Sequence, residues 1–197
     1  MNKEQLFQLY KQLYFDEIER REKIESRLQL PLAIMVVIFG ILTYMLQHVC
    51  DYRSDFASFL FWIFFAISCG CFILSILFFA RSWLGYKYRL LATPESTEKY
   101  RAECIELYKN YENCDKLVDK AIYQYFFNAY VEYSTWNMAN NDTKMLNLER
   151  SGKTLFVSFL FCILMLGPYF LGNLDKTTNE IGNNNIVNSS QPIDKKD

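Results

Sequence analysis

The chain has 197 residues with 21 basic and 22 acidic side chains, a formal net charge of −1 and 51% hydrophobic residues. Its mean hydropathy of −0.04 would suit a soluble domain, but the apolar and charged residues occupy separate blocks, which is typical of membrane proteins. The six cysteines do not form a disulfide scaffold, because five lie in apolar or charged helical segments and Cys50 has no partner near it.

Residues 1–29 predict a cytoplasmic amphipathic helix. Apolar side chains recur at helical spacing from Leu6 to Phe15, and charges of both signs follow from Asp16 to Glu25. The charged part is interpreted as a solvated stretch with many ion pairs. Pro31 then allows a break, so this helix and the next one need not be collinear.

Residues 30–83 predict a transmembrane hairpin with spans at 30–49 and 59–79. Neither span contains a charged residue, and at about 1.5 Å per residue each is long enough to cross a hydrocarbon core of roughly 30 Å. The polar loop between His48 and Asp55 is short, so the two helices are expected to be antiparallel neighbours.

Residues 84–153 predict a long cytoplasmic helical region. Thr93, Pro94 and Glu95 form a helix start, with Thr93 as the cap, and we expect one helix from there to Tyr133. Apolar and small residues then recur with a period of about 3.5, which is typical of a coiled-coil-like contact: Tyr100, Cys104, Leu107, Tyr111, Cys114, Val118, Ala121 and Tyr125. The partner would be the amino-terminal helix, its copy in a neighbouring subunit, or the same helix in a parallel dimer.

Residues 154–172 predict a third transmembrane helix. Its apolar run, from Leu155 to Leu171, is 17 residues long and lies at the short end of the spanning range. A buried soluble helix or a re-entrant segment would have a similar length, but the charges before the run favour a span. Residues 173–197 are rich in Asn and cannot bury a core, so we expect a disordered exoplasmic tail.

Lysine and arginine near the span ends predict the orientation. Of the lysines and arginines counted near the span ends, two lie on the side that the positive-inside rule assigns to the exoplasm, Arg53 and Lys176. The ten on the cytoplasmic side are Arg20, Arg21, Lys23, Arg27, Arg81, Lys87, Arg89, Lys144, Arg150 and Lys153. The fold class is therefore an all-α membrane protein with three transmembrane helices, whose N-terminal and central cytoplasmic helices form a helical bundle.

The sequence predicts no catalytic, cofactor-binding or metal site. Residues 151–154 read Ser-Gly-Lys-Thr, but Asn147 replaces the first glycine of a phosphate-binding loop, so we interpret them as a polar turn. Cys69 and Cys71 lie in an apolar span without a nearby acid or histidine. His48 is the single histidine, which makes a triad or a multi-histidine metal site improbable.

Two further functions are disfavoured. No charged side chain lies inside a span, whereas ion-coupled transporters place such groups at membrane depth. The aromatic run at 122–133 has no accompanying basic patch, so no nucleic-acid partner is expected and an amphipathic helix is favoured.

Small residues share faces within each predicted span. Such residues let helix backbones approach closely in a bilayer, so these are candidates for helix packing inside one chain or for assembly of a homo-oligomer. They are Ala33 and Gly40 in the first span, Ser68, Cys71 and Ser75 in the second, and Ser158 and Cys162 in the third.

An amino-terminal cytoplasmic helix, a tight two-span hairpin and a following cytoplasmic helix together resemble the SLATT-type small membrane proteins of bacteria. The resemblance covers about residues 1–140 and includes short stretches at Asn128-Ala-Tyr130 and Asn137-Met-Ala-Asn-Asn141. It implies an effector encoded beside a signalling or retron defence module. The third span departs from the two-span form of that family.

The resemblance implies a non-enzymatic effector of the bacterial inner membrane. The lysine and arginine count, together with the third span, predicts a cytoplasmic amino terminus and a periplasmic carboxyl terminus. Such an effector would oligomerise and perturb or permeabilise the bilayer in an abortive-infection response, triggered through its cytoplasmic helices by a protein partner or signalling module. The alternative is a membrane anchor or regulator that docks a cytoplasmic partner and forms no pore. In neither case is a cofactor expected.

Overall fold

A computed structural model describes residues 1–49, 56–172 and 174, and within these it contains helices and no strand. Three helical stretches are long and apolar enough to cross a membrane. The predicted all-helical architecture with three long apolar helices is therefore confirmed. Cys50, the remaining loop residues 51–55 and nearly all of the predicted tail lie outside the described residues. The helices are α1 (Lys3–Arg27), α2 (Gln29–His48), α3 (Phe56–Trp83), α4 (Pro94–Tyr108) and α5 (Cys114–Leu171).

The chain divides into two compact units. The first, here called the polar unit, comprises Met1–Arg27 and Arg81–Asn147. The second, called the apolar unit, comprises Leu28–Ala80 and Leu148–Asp197. Helices α3 and α5 contribute residues to both units.

The apolar unit contains α2, most of α3 and the last part of α5. Its core includes Ile38 and Met45 of α2, Phe61 of α3 and Met165 of α5, all almost fully buried. Large apolar side chains also cover its outside, including Val36, Phe59 and Phe156. An apolar exterior of this kind suits contact with lipid, because in water it would be an unusually large exposed hydrophobic surface.

The polar unit is built around aromatic contacts between α1 and α5. Phe7 stacks on Tyr123 with 4.8 Å between ring centroids, and Tyr10 meets Phe127 edge to face at 5.5 Å. The buried stripe of α1 continues into the charged block, where Glu17 is only 6% exposed. The expectation that this block is wholly solvated is therefore wrong, since α5 supplies polar partners for Glu17.

The Thr93 cap is confirmed. Its Oγ1 accepts a hydrogen bond from the Ser96 amide at 3.2 Å, and Pro94 occupies the first position of α4.

The predicted single helix from Glu95 to Tyr133 is wrong. α4 ends at Tyr108, residues 109–113 form a turn, and α5 begins at Cys114. Asn110 and Asn113 lie in this turn, and asparagine favours turns over helix interiors. The heptad stripe consequently folds back on itself, with Tyr100 against Tyr125 at 5.0 Å between ring centroids.

The polar turn expected at residues 151–154 is also wrong. α5 continues through these residues without interruption for a total of 58 residues. A glycine in a helix costs about 1 kcal/mol relative to alanine. This cost is too small to end α5 at Gly152, because the residues of α5 before and after it make packing contacts. Ser151 is fully buried, and its side chain belongs to the helix contact described next.

Candidate functional site

Two pairs of serines join α3 to α5 in the apolar unit. Ser68 Oγ donates to the Ser158 carbonyl at 3.0 Å, and Ser158 Oγ donates to the Ser68 carbonyl at the same distance. Ser75 and Ser151 exchange hydrogen bonds in the same way, at 2.9 and 3.0 Å. We call these two pairs the serine clasp.

The clasp depends on close approach of the two backbones. All four serines are fully buried, and each hydroxyl bonds the main chain of the facing helix, which a larger side chain would hold away. Each pair lies seven residues from the next on both helices. The hydroxyls thereby have hydrogen-bond partners although the surrounding core is apolar, with Ile38, Phe61 and Met165 fully buried.

The structure brings together four of the seven small residues singled out in the sequence. Ser68, Ser75 and Ser158 belong to the clasp, and Cys162 Sγ lies 3.2 Å from Ser68 Oγ. The other three lie elsewhere: Cys71 is half-buried, while Ala33 and Gly40 are exposed. Ser151 was missed, although its separation of seven residues from Ser158 is a signal that could have identified it.

The same spacing of seven residues continues in the polar unit. Ser82 Oγ donates to the Lys144 carbonyl at 2.9 Å. The next step pairs Arg89 with Asn137, whose amide accepts from the Arg89 N–H and donates to the Arg89 carbonyl, both at 3.0 Å. The Asn137 amide therefore pairs with both main-chain polar groups of Arg89, as a residue of a neighbouring strand would.

Arg89 belongs to an extended segment, residues 84–93, that joins α3 to α4 and is here called the strap. Trp136 Nε1 and Asn140 Nδ2 both donate to the Lys87 carbonyl, at 2.8 and 2.9 Å. The Leu91 N–H donates to Tyr14 Oη at 3.2 Å. Side chains thus provide hydrogen-bond partners for strap N–H and carbonyl groups that belong to no helix or sheet.

A buried polar network adjoins the strap. Asn141 Nδ2 donates to both the carbonyl and the carboxylate of Glu17 at 2.8 Å, and Tyr88 Oη donates to Asn141 Oδ1 at 2.7 Å. Asn137 and Asn141 are fully buried. Since buried amides of this kind cost free energy unless they are paired, the Asn-rich stretch at 137–141 serves to hold the strap and α1 against α5.

Cations complete the network. The Lys144 side chain is only 4% exposed, and its Nζ lies 3.3 Å from Glu25 Oε1 and 5.3 Å from the Tyr88 ring centroid. The Arg21 guanidinium lies over the same ring at 4.5 Å and pairs with Glu25 at 2.8 Å. The hydrogen bond from Arg21 lowers the pKa of the Glu25 carboxyl. Burial raises the pKa of the Tyr88 phenol to about 12.

The described polar groups of this network form hydrogen bonds or ion pairs with one another. Across residues 1–49, 56–172 and 174, no group of three His, Cys, Asp or Glu side chains could hold a metal ion. The His48 ring stacks on Tyr44 at 4.3 Å between centroids, and its Nδ1 lies 2.9 Å from the Tyr44 carbonyl. The arrangement can hold helices and a strap in place.

The serine clasp should stabilise the apolar unit through hydrogen bonds to main-chain carbonyls. Ser75→Ala and Ser151→Ala each remove one hydroxyl donor, and we expect each to lower the free energy of unfolding by ~0.6 kcal/mol, the average for hydrogen bonds inside membrane proteins. Because the accepting carbonyls belong to the main chain and survive both substitutions, the two losses should add in the double variant. Unfolding of the detergent-solubilised chain by sodium dodecyl sulfate measures them, with Cys71→Ala, which lies on α3 outside the clasp, as the control. Serine variants as stable as the parent chain would contradict the clasp.

Removing the Asn137 amide should release the strap. Asn137→Ala leaves the Arg89 N–H and carbonyl without their partner, at a cost of about 1–3 kcal/mol. We expect faster hydrogen exchange of the strap amides in this variant. Asn128→Ala is the matched control, since Asn128 is exposed on the same helix and contacts Gln124 instead. Equal exchange in both variants would contradict the assigned role.

The Glu25 ion pairs should make stability depend on pH. The folded-state pKa of Glu25 is lowered from 4.5, so its contribution is present above that value and is lost as the pH falls through the folded-state pKa. We expect the thermal midpoint to fall on acidification below about pH 5, and to fall less steeply in Glu25→Gln. Parallel profiles for the two proteins would show that Glu25 contributes nothing.

No protein-family model, no curated protein and no solved structure matches this chain.

Proposed function

We propose that this protein is a non-enzymatic effector of the bacterial inner membrane, which oligomerises and perturbs or permeabilises the bilayer in a defence response of the abortive-infection kind. One observation carries the proposal. α2, α3 and the end of α5 turn large apolar side chains outward, whereas the clasp serines are turned inward. Hydrocarbon outside the protein accommodates this distribution and water does not.

The charge distribution supports a cytoplasmic polar unit. Arg81 and Lys87 begin the second stretch of that unit, and Arg150 and Lys153 precede the apolar end of α5. The positive-inside rule favours the cytoplasm for these cations. A signalling module or protein partner of the cytoplasm would then act on the polar unit.

Permeabilisation by this chain requires several copies. The four clasp hydroxyls are bonded to each other's backbones, so they cannot line a water-filled path while the clasp is closed. Ala33, Gly40 and Cys71 lie outside the clasp, and we assign contacts between copies to these faces.

α2 is the helix best suited to move. Among the hydrogen bonds between described residues, none joins a side chain of α2 to α3 or α5. Its contacts are apolar, such as Phe39 against Phe72 at 6.5 Å between ring centroids. Lipid competes well with apolar contacts and poorly with hydrogen bonds, so a modest bias from the polar unit can shift α2 between two packings.

The second candidate function is an anchor or regulator that docks a cytoplasmic partner and leaves the membrane intact. The clasp favours this second function, because the hydroxyls of Ser68, Ser75 and Ser158 already form hydrogen bonds within one chain and are not free to join two copies. In this function the polar unit binds the partner and the apolar unit only retains it at the membrane.

Membrane potential distinguishes the two functions. A voltage-sensitive dye would report on cells in which the protein is induced alone, and on cells that carry it with its neighbouring genes and are infected with a virus as the trigger. We expect depolarisation, accompanied by crosslinked oligomers, in the triggered cells. Gly40→Leu places a bulky side chain on the exposed face of α2 and should reduce both signals, while Ser96→Ala in the polar unit should reduce neither.

A steady potential in every condition, with the protein recovered from the membrane fraction, would favour the anchor. Depolarisation without oligomers would contradict the assembly step alone.

A further inference from the structure

Hydrogen bonds to the main chain of the strap fall on every second residue. The Lys87 carbonyl accepts from side chains of α5, and Asn137 pairs with both the N–H and the carbonyl of Arg89. The Leu91 N–H donates to Tyr14. In an extended chain, the main-chain polar groups of successive residues point to opposite edges. One edge of the strap, formed by these three strap residues, therefore faces α1 and α5.

The other edge of the strap, here called the free edge, has no hydrogen-bond partner within the described part of the chain. It carries the N–H and carbonyl groups of Tyr88 and Leu90, the residues that alternate with the bonded ones. None of these four groups bonds to a described residue. Leu90 is 61% exposed. An unpaired strand edge of this kind is a template for pairing with another extended chain.

The chemistry of the free edge selects its occupant. N–H and carbonyl groups at strand spacing pair with the main chain of an extended peptide. A helix offers no such row, because its main-chain groups are bonded within the helix, and a hydrocarbon chain has neither donors nor acceptors. A peptide strand is therefore the occupant that matches this edge.

Side chains beside the free edge define the peptide further. Leu90 offers an apolar contact. Lys87 is exposed and belongs to none of the ion pairs between described residues, so an acidic residue of the peptide would be complementary to it. An open depression beside Arg89 includes Trp136, which is 45% exposed, and can receive an apolar side chain. In strand addition, pockets of this kind add specificity to the main-chain hydrogen bonds.

We propose that the free edge binds an extended peptide of a cytoplasmic protein partner, which adds as a strand beside Tyr88 and Leu90. The peptide presents apolar side chains and an acidic residue for Lys87. This inference deepens the proposed function and rests on it for the cytoplasmic placement of the polar unit. Asn137 and Tyr14 already hold the strap in place, so little main-chain freedom of the strap is lost on binding, which favours affinity.

Hydrogen exchange resolved to single amides tests the free edge in the detergent-solubilised full chain. The probe is a short synthetic peptide, blocked at both ends, with valine at alternate positions and one glutamate. We expect it to slow exchange of the Tyr88 and Leu90 amides several-fold, while the Arg89 amide, already bonded to Asn137, changes little. The same peptide N-methylated at all of its amides has no donors for strand pairing and should give no protection.

Substitutions at Leu90 separate the main-chain contribution from that of the side chain. Leu90→Pro removes one N–H of the free edge, and proline is tolerated at the solvent edge of a strand after a residue that is already extended. We expect its affinity for the labelled peptide, measured by fluorescence anisotropy, to fall several-fold below that of Leu90→Ala, the matched control that keeps the N–H. Protection of the Arg89 amide checks the fold of both variants. Lys87→Gln should remove the preference for glutamate over glutamine in the peptide.

The outcomes separate this inference from the proposed function. Tyr88 and Leu90 amides that the peptide leaves unprotected would overturn the docking edge and show that water alone covers it. Equal affinities of Leu90→Pro and Leu90→Ala, or equal binding of the N-methylated peptide, would overturn strand addition. Depolarisation of triggered cells would leave the proposed function standing in these cases. Protection by the peptide together with a steady potential would support the docking edge and contradict the effector.

Discussion

Hydrogen bonds between serine hydroxyls and the facing main chain are the constraint on which the apolar unit depends. The four clasp hydroxyls are buried away from solvent, so each needs a polar partner within the protein. Ser68 and Ser75 reach the carbonyls of Ser158 and Ser151 at 2.9 to 3.0 Å. These distances set how close α3 and α5 lie and which residues face each other. Within the described residues α2 packs through apolar side chains such as Ile38 and Met45, and an open groove separates part of it from α5.

The polar unit meets a similar requirement with different chemistry. The helix α3 ends at Trp83, and Gly85, with φ of 92°, turns the chain into the strap. The positive φ is a conformation that glycine adopts without steric cost. Beyond it the main chain has no helical partner, so side-chain amides on α5 take over. At this step Asn137 takes the place of the serine, because its amide carries the donor and the acceptor on two separate atoms and can pair with the Arg89 N–H and the Arg89 carbonyl at the same time.

The sequence was sufficient for the features that depend on local composition. The three apolar stretches and the Thr93 helix start follow from residues that lie next to one another, and the structure contains them. It was insufficient where distant residues meet. The residues of the 100–125 heptad stripe have the predicted period, but the two halves of the stripe pack against each other. The turn at 109–113 reverses the chain and brings Tyr100 against Tyr125. Ser151 looked like part of a polar turn because its partner is 76 residues away. The asparagines at 137–141 are needed because they bond to the strap and to α1, which lie far away in the sequence. The sequence of residues 137–141 by itself does not indicate these partners.

The order of the clasp residues along the chain has a consequence for biogenesis. Ribosomes synthesise α3 before α5, and helices that insert into a bilayer pack together only afterwards. Ser68 and Ser75 therefore enter the proposed membrane before their partners on α5 exist. During that interval each hydroxyl can donate to the carbonyl three or four residues earlier in its own helix, as serine does within helices. When α5 packs against α3, the hydrogen bonds of the clasp replace these local bonds. The carboxyl-terminal part of the chain therefore completes the hydrogen bonding of a helix that was made much earlier.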